Sequence, residues 1–493
     1  MEHFDLCVIG AGPSGYAAAI RALDYGKKVI LIEKNKVGGA GIHHGALSSK
    51  TLWELARDAR KLSFNDRGFS VQNYQVDYKS VIQAMHEAVN TRMDQLVFQI
   101  NALQDELHSG TFRFVQGFAR FVSPHEISIN KEDGHSETIY AEHVILATGS
   151  RPRKLPHIPI DEKIIVTSDG LDSFDHFPKS IVILGAGVIG CEFATIFANF
   201  GQTKVYIIDK ADRILPFEDE DVSGVVARNL ESSGVTIHHG SSLESMEIEN
   251  GQVKYVLTYE DGRKEVHYVE KALVSVGRIP NIEGLGLEEV GVKMGPRSNI
   301  IDDDTQTTVP HIYAVGDLTA DICLVNVGEL EGRHAVERIY DNLDKQMSYE
   351  NVSTIMFLQP EVAGVGMNEM EAQRRGLPYK VACYSYEYIN RAIAMRNLTG
   401  FFKIIVTDDA EMKVLGMRAV GEHGSSAIQG VSLLIKLGLG IETLSELVHP
   451  HPSIVEGVQE CVRMLLGKSI MKPRVFTEKL RCSRVANGVC MDI

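Results

Sequence analysis

The chain has 493 residues, room for about three domains at ~150 residues each. With 44% hydrophobic and 23% charged residues it has the balance of a globular protein, which excludes a mostly disordered or collagen-like chain. Lys and Arg number 50 against 65 Asp and Glu, a net charge of −15 with no basic block, which argues against nucleic acid or an anionic membrane surface as main partner.

No apolar run reaches the ~18 residues that a membrane span needs. The start, Met1-Glu2-His3-Phe4-Asp5, has no basic segment or small-residue cleavage site, so no secretory leader is expected. Cys7, Cys191, Cys323, Cys383, Cys461, Cys482 and Cys490 are an odd, scattered set. They suggest a reducing cytoplasm rather than a disulfide framework, and no Cys-x-x-Cys pair suggests a metal site.

Phe4 to Ile9 reads as a strand, followed by Gly10-Ala11-Gly12-Pro13-Ser14-Gly15 and a helix through Leu23. Lys28 to Ile32 is a second strand, closed by Glu33. Strand, Gly-rich turn, helix, strand and acid form the dinucleotide-binding fingerprint. Its glycines let the backbone approach a pyrophosphate, and the helix N-terminus favours the negative charge. Glu33 is placed to accept ribose hydroxyls.

The pattern repeats at Ser180 to Leu184, Gly185-Ala186-Gly187-Val188-Ile189-Gly190, a helix, and the strand Thr203 to Ile208 ending in Asp209. Two such units imply two dinucleotides, and so electron transfer between a flavin and a nicotinamide. Asp209 would repel a 2′-phosphate, which favours NAD(H) over NADP(H), although Lys210 softens that preference. Glu142 to Leu146, Lys271 to Val276 and His311 to Val315 are short strands. They run into Ala147-Thr148-Gly149, Gly277-Arg278-Ile279-Pro280 and Gly316-Asp317.

From about Val352 the texture changes. Lys380 to Tyr388, Gly400 to Thr407 and Lys413 to Val420 read as antiparallel strands, with helices near Ser426 to Leu437 and Ile454 to Leu466. The fold class is α/β: two Rossmann-like dinucleotide-binding domains and a C-terminal α+β domain. The polar last stretch reads as a mobile tail.

With both fingerprints placed, the chain resembles the pyridine nucleotide–disulfide oxidoreductases, the family of dihydrolipoamide dehydrogenase and glutathione reductase. The match covers residues 4 to 470. It also rests on Gly38-Gly39, Ser49-Lys50, Gly117-Phe118-Ala119, Ala147-Thr148-Gly149, Glu192, Val276-Gly277-Arg278, Gly316-Asp317, Pro360-Glu361 and His449-Pro450-His451-Pro452. The resemblance implies an FAD domain at 1–155 and 281–348, an inserted NAD domain at 156–280, a homodimerisation domain at 349–470 and a tail at 471–493. It implies that Gly10, Gly12, Gly15, Glu33, Lys34, Lys50, Ala119, Thr148, Gly149 and Asp317 contact FAD. Gly185, Gly187, Gly190 and Asp209 would hold the nicotinamide nucleotide, with Gly277 also a cofactor contact. Lys50 and Glu192 match the ion pair beside flavin N5, and His451 with Glu456 the family's proton-moving pair.

One departure bears on the reaction. The family has two cysteines five apart beneath the flavin. Aligned on Gly38-Gly39 and Ser49-Lys50, Gly41 and Ala46 occupy those positions, and neither can form a thiolate or a disulfide. Relay through a dithiol at this site is therefore not expected, and electrons should pass to a small-molecule acceptor that is not a disulfide. Ile42-His43-His44-Gly45, Asp212-Arg213-Ile214-Leu215 and Gly421-Glu422-His423 look like soluble nucleotide transhydrogenases of the family. A quinone or dye reductase, and a non-catalytic flavoprotein subunit or redox sensor, are the alternatives. His451 and Glu456 fit protonation of an acceptor or an inherited interface contact. His43 and His44 would lie near the same cavity, and Cys482 and Cys490 in the tail are the remaining candidates.

Overall fold

The computed structural model describes all residues except 65–67, 69–70, 73, 320 and 342–344. The chain forms two compact units, residues 1–178 with 273–347 and residues 179–272 with 348–493.

The first unit is built on a parallel sheet. Strand β1 (Glu2–Ile9) pairs with β2 (Val29–Glu33) on one side and β4 (Ser136–Leu146) on the other. Beyond β2 lies β3 (Phe112–Gln116), and beyond β4 the strand Ile312–Ala314, all parallel. β2 reads Val-Ile-Leu-Ile before its acid and is buried throughout, as a strand covered on both faces must be. Helix α1 (Pro13–Asp24) follows the first Gly-rich turn and buries Ala18, Ala19, Ala22 and Leu23. Two further helices, α2 (Gly39–His43) and α3 (Ala46–Leu62), carry the segment where the sequence lacks cysteines.

Gly10 and Gly15 are dictated by contact. Gly10 has φ 107°, and a Cβ there would lie 2.3 Å from the Ala147 carbonyl oxygen. A Cβ on Gly15 would lie 1.9 Å from the Gly10 carbonyl oxygen, so only glycine lets α1 start so close to the sheet.

In the second unit β5 (Ser180–Leu184), β6 (Lys204–Ile208) and Thr236–Ile237 run parallel, with α4 (Val188–Phe200) after the second Gly-rich turn. The unit also holds a seven-stranded antiparallel sheet. Its strands are β7 (Ser353–Met356), β8 (Val362–Gly366), β9 (Tyr379–Ser385), β10 (Phe401–Thr407), β11 (Val414–Val420), β12 (Leu480–Ala486) and β13 (Val489–Asp492). They stand in the order β7-β8-β11-β10-β9-β12-β13. Helix α5 (Glu456–Leu465) buries Val458, Cys461, Val462 and Leu465 in the same core as Phe402, Ile404 and Tyr384.

The mobile tail expected at 471–493 is corrected by β12 and β13. β12 pairs with β9 from Leu480 opposite Tyr384 to Val485 opposite Tyr379, and β13 folds back on β12. Of the residues read as polar tail, Leu480, Cys482, Ser483 and Val485 are buried. Cys482 is covered at 4% exposure, while Cys490 faces solvent opposite Val485. The two thiols do not meet. The remaining C-terminal elements fall where the pattern placed them, with trimmed ends. Tyr386–Tyr388 is a short 3₁₀ turn after β9, and the helix expected from Ser426 begins at Gln429 after a turn over Gly424–Ala427.

Candidate functional site

The C-terminal ends of β1, β2 and β4 open onto a cleft of about 780 Å³ within the first unit. Gly10, Gly12, Glu33, Lys34, Ala119, Thr148, Gly149 and Asp317 all line it, as do Gly41, His43, His44, Ser150, Arg151, Asp169 and Asn281. Gly15, Lys50 and Gly277 are not among the lining residues. Gly15 serves the turn behind the cleft. Lys50 sits on α3, its ammonium donating to Ser49 Oγ at 3.3 Å.

The polar groups are fixed before any ligand arrives. One oxygen of Glu33 accepts the Ala11 N–H and the other the Asn35 N–H, each at 2.7 Å. A carboxylate has about four lone-pair positions, so both oxygens can still accept ribose hydroxyls. Asp317 accepts the Ser150 hydroxyl at 2.5 Å, and Ser150 in turn takes the Arg278 Nε–H at 2.7 Å. Thr148 Oγ1 donates to the Asn281 carbonyl at 2.6 Å, while the Asn281 amide returns a bond to the Thr148 carbonyl at 2.9 Å. Glu33 and Asp317 stand three strand spacings apart, roughly 14 Å at ~4.8 Å per strand.

His43 and His44 separate in character. His43 shares a hydrogen bond with the Val37 carbonyl at 2.9 Å, and its burial lowers the imidazole's proton affinity. His44 is exposed at the lip. Asp169, also in the cleft, is raised above the usual carboxylate range by burial, against the pull of His44 and Arg278.

The second unit repeats the first acid's arrangement. Asp209 accepts the Ala186 N–H at 2.5 Å and the Ala211 N–H at 2.8 Å. Gly185 has φ 104°, close to the 107° of Gly10, and Gly190 is buried in the first turn of α4. Glu192, on the same helix, is 4% exposed and accepts the Phe357 N–H at 2.9 Å. His451 Nδ1 lies 2.7 Å from Glu456 Oε1, and the other Glu456 oxygen takes the Ser453 N–H at 3.0 Å. Burial pushes the Glu456 carboxyl up, but these hydrogen bonds outweigh it and hold it below the ordinary range. His449 is lowered by burial. Among the described residues no cluster of three or more His, Cys, Asp or Glu is suited to a metal ion.

Ser150, Arg151, Asp169 and Asn281 are among the side chains of the cleft that escaped the sequence reading. Ser150 directly follows a recognised motif, and Asn281 follows Gly277-Arg278-Ile279-Pro280, so the flanks of those two turns were the signal.

The residues present fit a dinucleotide. A Cβ on Gly12 would meet nothing within 4 Å, and the same holds for Gly187, so each turn leaves open the space above its helix N-terminus. Together with an acid at the end of the next strand, that is a pyrophosphate and ribose cradle in both units.

Comparison with known proteins agrees. The family described as pyridine nucleotide-disulphide oxidoreductase matches residues 4–339, and its dimerisation domain matches residues 352–462. A dihydrolipoyl dehydrogenase of Chlamydia muridarum is 34% identical over 476 residues, 96% of this chain and 99% of that protein. One of Bacillus subtilis is 31% identical over 479 residues, 95% of this chain and 99% of that protein. Among solved structures, a Cu(II) complex of the HOCl-induced flavoprotein disulfide reductase RclA from Escherichia coli superposes with TM-score 0.83 at 25% identity. It covers 94% of this chain and 100% of that one. LpdA from Mycobacterium tuberculosis, at TM-score 0.84 and 24% identity, covers the same shares and shows the same fold. Among the described residues no helix is long and apolar enough to cross a membrane. Two cradles, one on each unit, and matches that run almost end to end thus place the chain among the pyridine nucleotide-disulphide oxidoreductases, a family that binds FAD and NAD(P).

Proposed function

We propose that the chain catalyses hydride transfer from a reduced nicotinamide nucleotide to an acceptor that is not a disulfide. FAD, when bound, supplies the two-electron carrier between them. Gly41 and Ala46 carry this reading, because they stand where the resemblance puts the two thiols. Gly41 is also packed as a residue without a side chain: a Cβ there would come 2.8 Å from Pro13 Cγ and 3.3 Å from Val325 Cγ2. All seven cysteines are free, and Cys7, Cys191, Cys461 and Cys482 are buried.

In the first unit, Glu33 and Lys34 would hold the adenosine end of FAD and Asp317 the ribityl chain. Thr148, Gly149 and Ala119 would complete the wall. In the second, Gly185, Gly187, Gly190 and Asp209 would receive the nicotinamide nucleotide. Lys50 and Glu192 are assigned catalytic roles at the hydride step. The acceptor we favour is a second nicotinamide nucleotide, as in soluble NAD(P)+ transhydrogenases, and the working assembly is a homodimer in the cytoplasm.

Anaerobic titration of the FAD-loaded protein with NADH should bleach its flavin absorbance. Thio-NAD+, NADP+, menadione and lipoamide are then offered in turn. Recovery of absorbance with thio-NAD+ and none with lipoamide is expected. Lipoamide turnover would overturn the proposal, and no bleaching would leave the non-catalytic flavoprotein.

A second acceptor class, quinones or dyes, is favoured by one observation. Glu456 orients the His451 ring at 2.7 Å, a general acid–base arrangement. Hydride exchange between nucleotides needs no such acid, whereas a quinone takes a proton with its electrons.

A further inference from the structure

The second Gly-rich turn is braced by the segment that follows β6. From Asp209 the chain passes through Arg213 and Leu215 to Asp219. Leu215 donates its N–H to the Ala186 carbonyl at 2.9 Å, inside the turn, and Asp209 accepts the N–H of that same Ala186 at 2.5 Å. The far end is tied to the antiparallel sheet and its flank. Arg418 Nε donates to Glu218 at 2.8 Å, Asn368 Nδ2 to the Phe217 carbonyl at 2.9 Å, and Lys403 lies 2.7 Å from Asp219.

Arg213 stands in the middle of this strap. Its position, four residues after the ribose-side acid, is where a cation could clamp a 2′-phosphate. Its donors are already placed. Nη1 donates to the Glu218 carbonyl and to Ser223 Oγ, both at 2.7 Å. Nη2 donates to the Pro216 carbonyl at 3.3 Å and contacts Met370 Sδ at 3.8 Å. Both N–H groups on each terminal nitrogen thus have acceptors, and the Nε–H alone cannot form the two-pronged grip by which arginine holds a phosphate.

We infer that Arg213 is a positioning residue of the nucleotide site: it fastens the strap against the Gly-rich turn and is thereby withdrawn from any 2′-phosphate, leaving Asp209 to select a nucleotide with a free 2′-hydroxyl. The inference rests on the reading of this turn as the nicotinamide nucleotide site. It adds that NADH is the donor, that the accepting nucleotide is likewise one with a free 2′-hydroxyl, and that NADPH finds no arginine to compensate for Asp209.

The test uses the FAD-loaded protein with Arg213→Gln, Ser223→Ala and Asp209→Asn. Calorimetry measures ADP-ribose and 2′-phospho-ADP-ribose binding, and stopped flow measures flavin bleaching by NADH and NADPH. Arg213→Gln should weaken both ligands together, with their ratio held within about threefold. The concentration of NADH giving half-maximal bleaching should rise while the limiting rate stays constant. Ser223→Ala, which removes one acceptor and leaves the guanidinium, should act in the same direction more weakly. Asp209→Asn should move the ratio toward the 2′-phosphorylated ligand by at least fivefold. Selective loss of 2′-phospho-ADP-ribose in Arg213→Gln would overturn the inference, as would equal use of NADH and NADPH by the unaltered protein. Failure of both ligands to bind the unaltered protein would instead reject the nucleotide site itself, and the inference with it.

Discussion

Lys403 lies on β10 with no exposed surface, in the run Phe-Phe-Lys-Ile-Ile-Val. Its ammonium is 2.7 Å from Asp219, 2.6 Å from Asp221 and 3.1 Å from Glu369, and Arg481 on β12 also binds Glu369. Replacing Lys403 by Met keeps the length of the side chain and removes the charge. Removing one partner of a buried pair costs about 3–5 kcal/mol, because the other charge is left uncompensated. Asp221 is 37% exposed and regains water, and Glu369 retains Arg481. The penalty therefore falls on Asp219, 5% exposed, which keeps the N–H groups of Glu369 and Met370 at 3.1 and 2.9 Å. That places the cost near the lower end, about 3 kcal/mol. In hydrogen exchange, amides of β9 and β10 should then exchange roughly 100-fold faster, at ~1.4 kcal/mol per factor of ten. Amides of β1 and β4 in the first unit should not change. Adding Asp219→Asn should recover part of the loss, since it removes the stranded charge. A change below about 1 kcal/mol in β9 and β10, or no recovery in the double variant, would refute this account of the cluster.

Other outcomes follow from the same geometry. His451→Gln should slow reoxidation of the NADH-bleached protein by menadione ~10²–10⁴-fold if the ring supplies the proton, and leave bleaching by NADH unchanged; stopped flow separates the two steps, and equal reoxidation would remove His451 from the reaction. Two-electron reduction should bleach the flavin without a long-wavelength thiolate-to-flavin band, because Gly41 and Ala46 offer no sulfur; such a band in an anaerobic spectrum would contradict the alignment. His238 is pushed down to about 4 by burial, with His267 beside it. Its folded value lies below the unfolded ~6.5, so the stability it gives is complete above ~6.5 and is lost as pH falls toward about 4. His238→Phe should remove up to one proton from the pH slope of unfolding in that window, and an unchanged slope would show that other groups carry it.

Much of this was legible in the residues because the physics is local. A Gly-rich turn between a strand and a helix, followed by a strand ending in an acid, fixes its own geometry, so Gly10, Gly12, Glu33, Gly187 and Asp209 stand where the spacing put them. Thr148, Gly149 and Asp317 were found through motifs at strand ends. Ser150 and Arg278 were harder: their mutual hydrogen bond joins positions 128 residues apart, and nothing in either segment names the other. Lys403 was invisible for a similar reason. A single lysine in an apolar strand reads as a solvent-facing position, and its three carboxylates come from two other segments. The C-terminal hairpin was misread because charge and short length resemble a loose end. Its order comes from a partner edge, β9, far back in the chain.

That hairpin also sets the order in which the second unit can be completed. β9 is the third strand of its sheet to be synthesised, yet its outer ladder partner, β12, is the sixth. Until residues 480–486 emerge, β9 is a bare sheet edge carrying Tyr379 and Val381, and Glu369 lacks Arg481.

 
A chain cut short before β12 would thus leave Glu369 without its Arg481 partner and present an unpaired strand for other chains to add to. An unpaired edge of this kind is a template on which other strands can add, and pairing with β12 covers it. Fusions or truncations at the C-terminal side should accordingly be judged first by the solubility of the whole protein, before any effect on catalysis is sought.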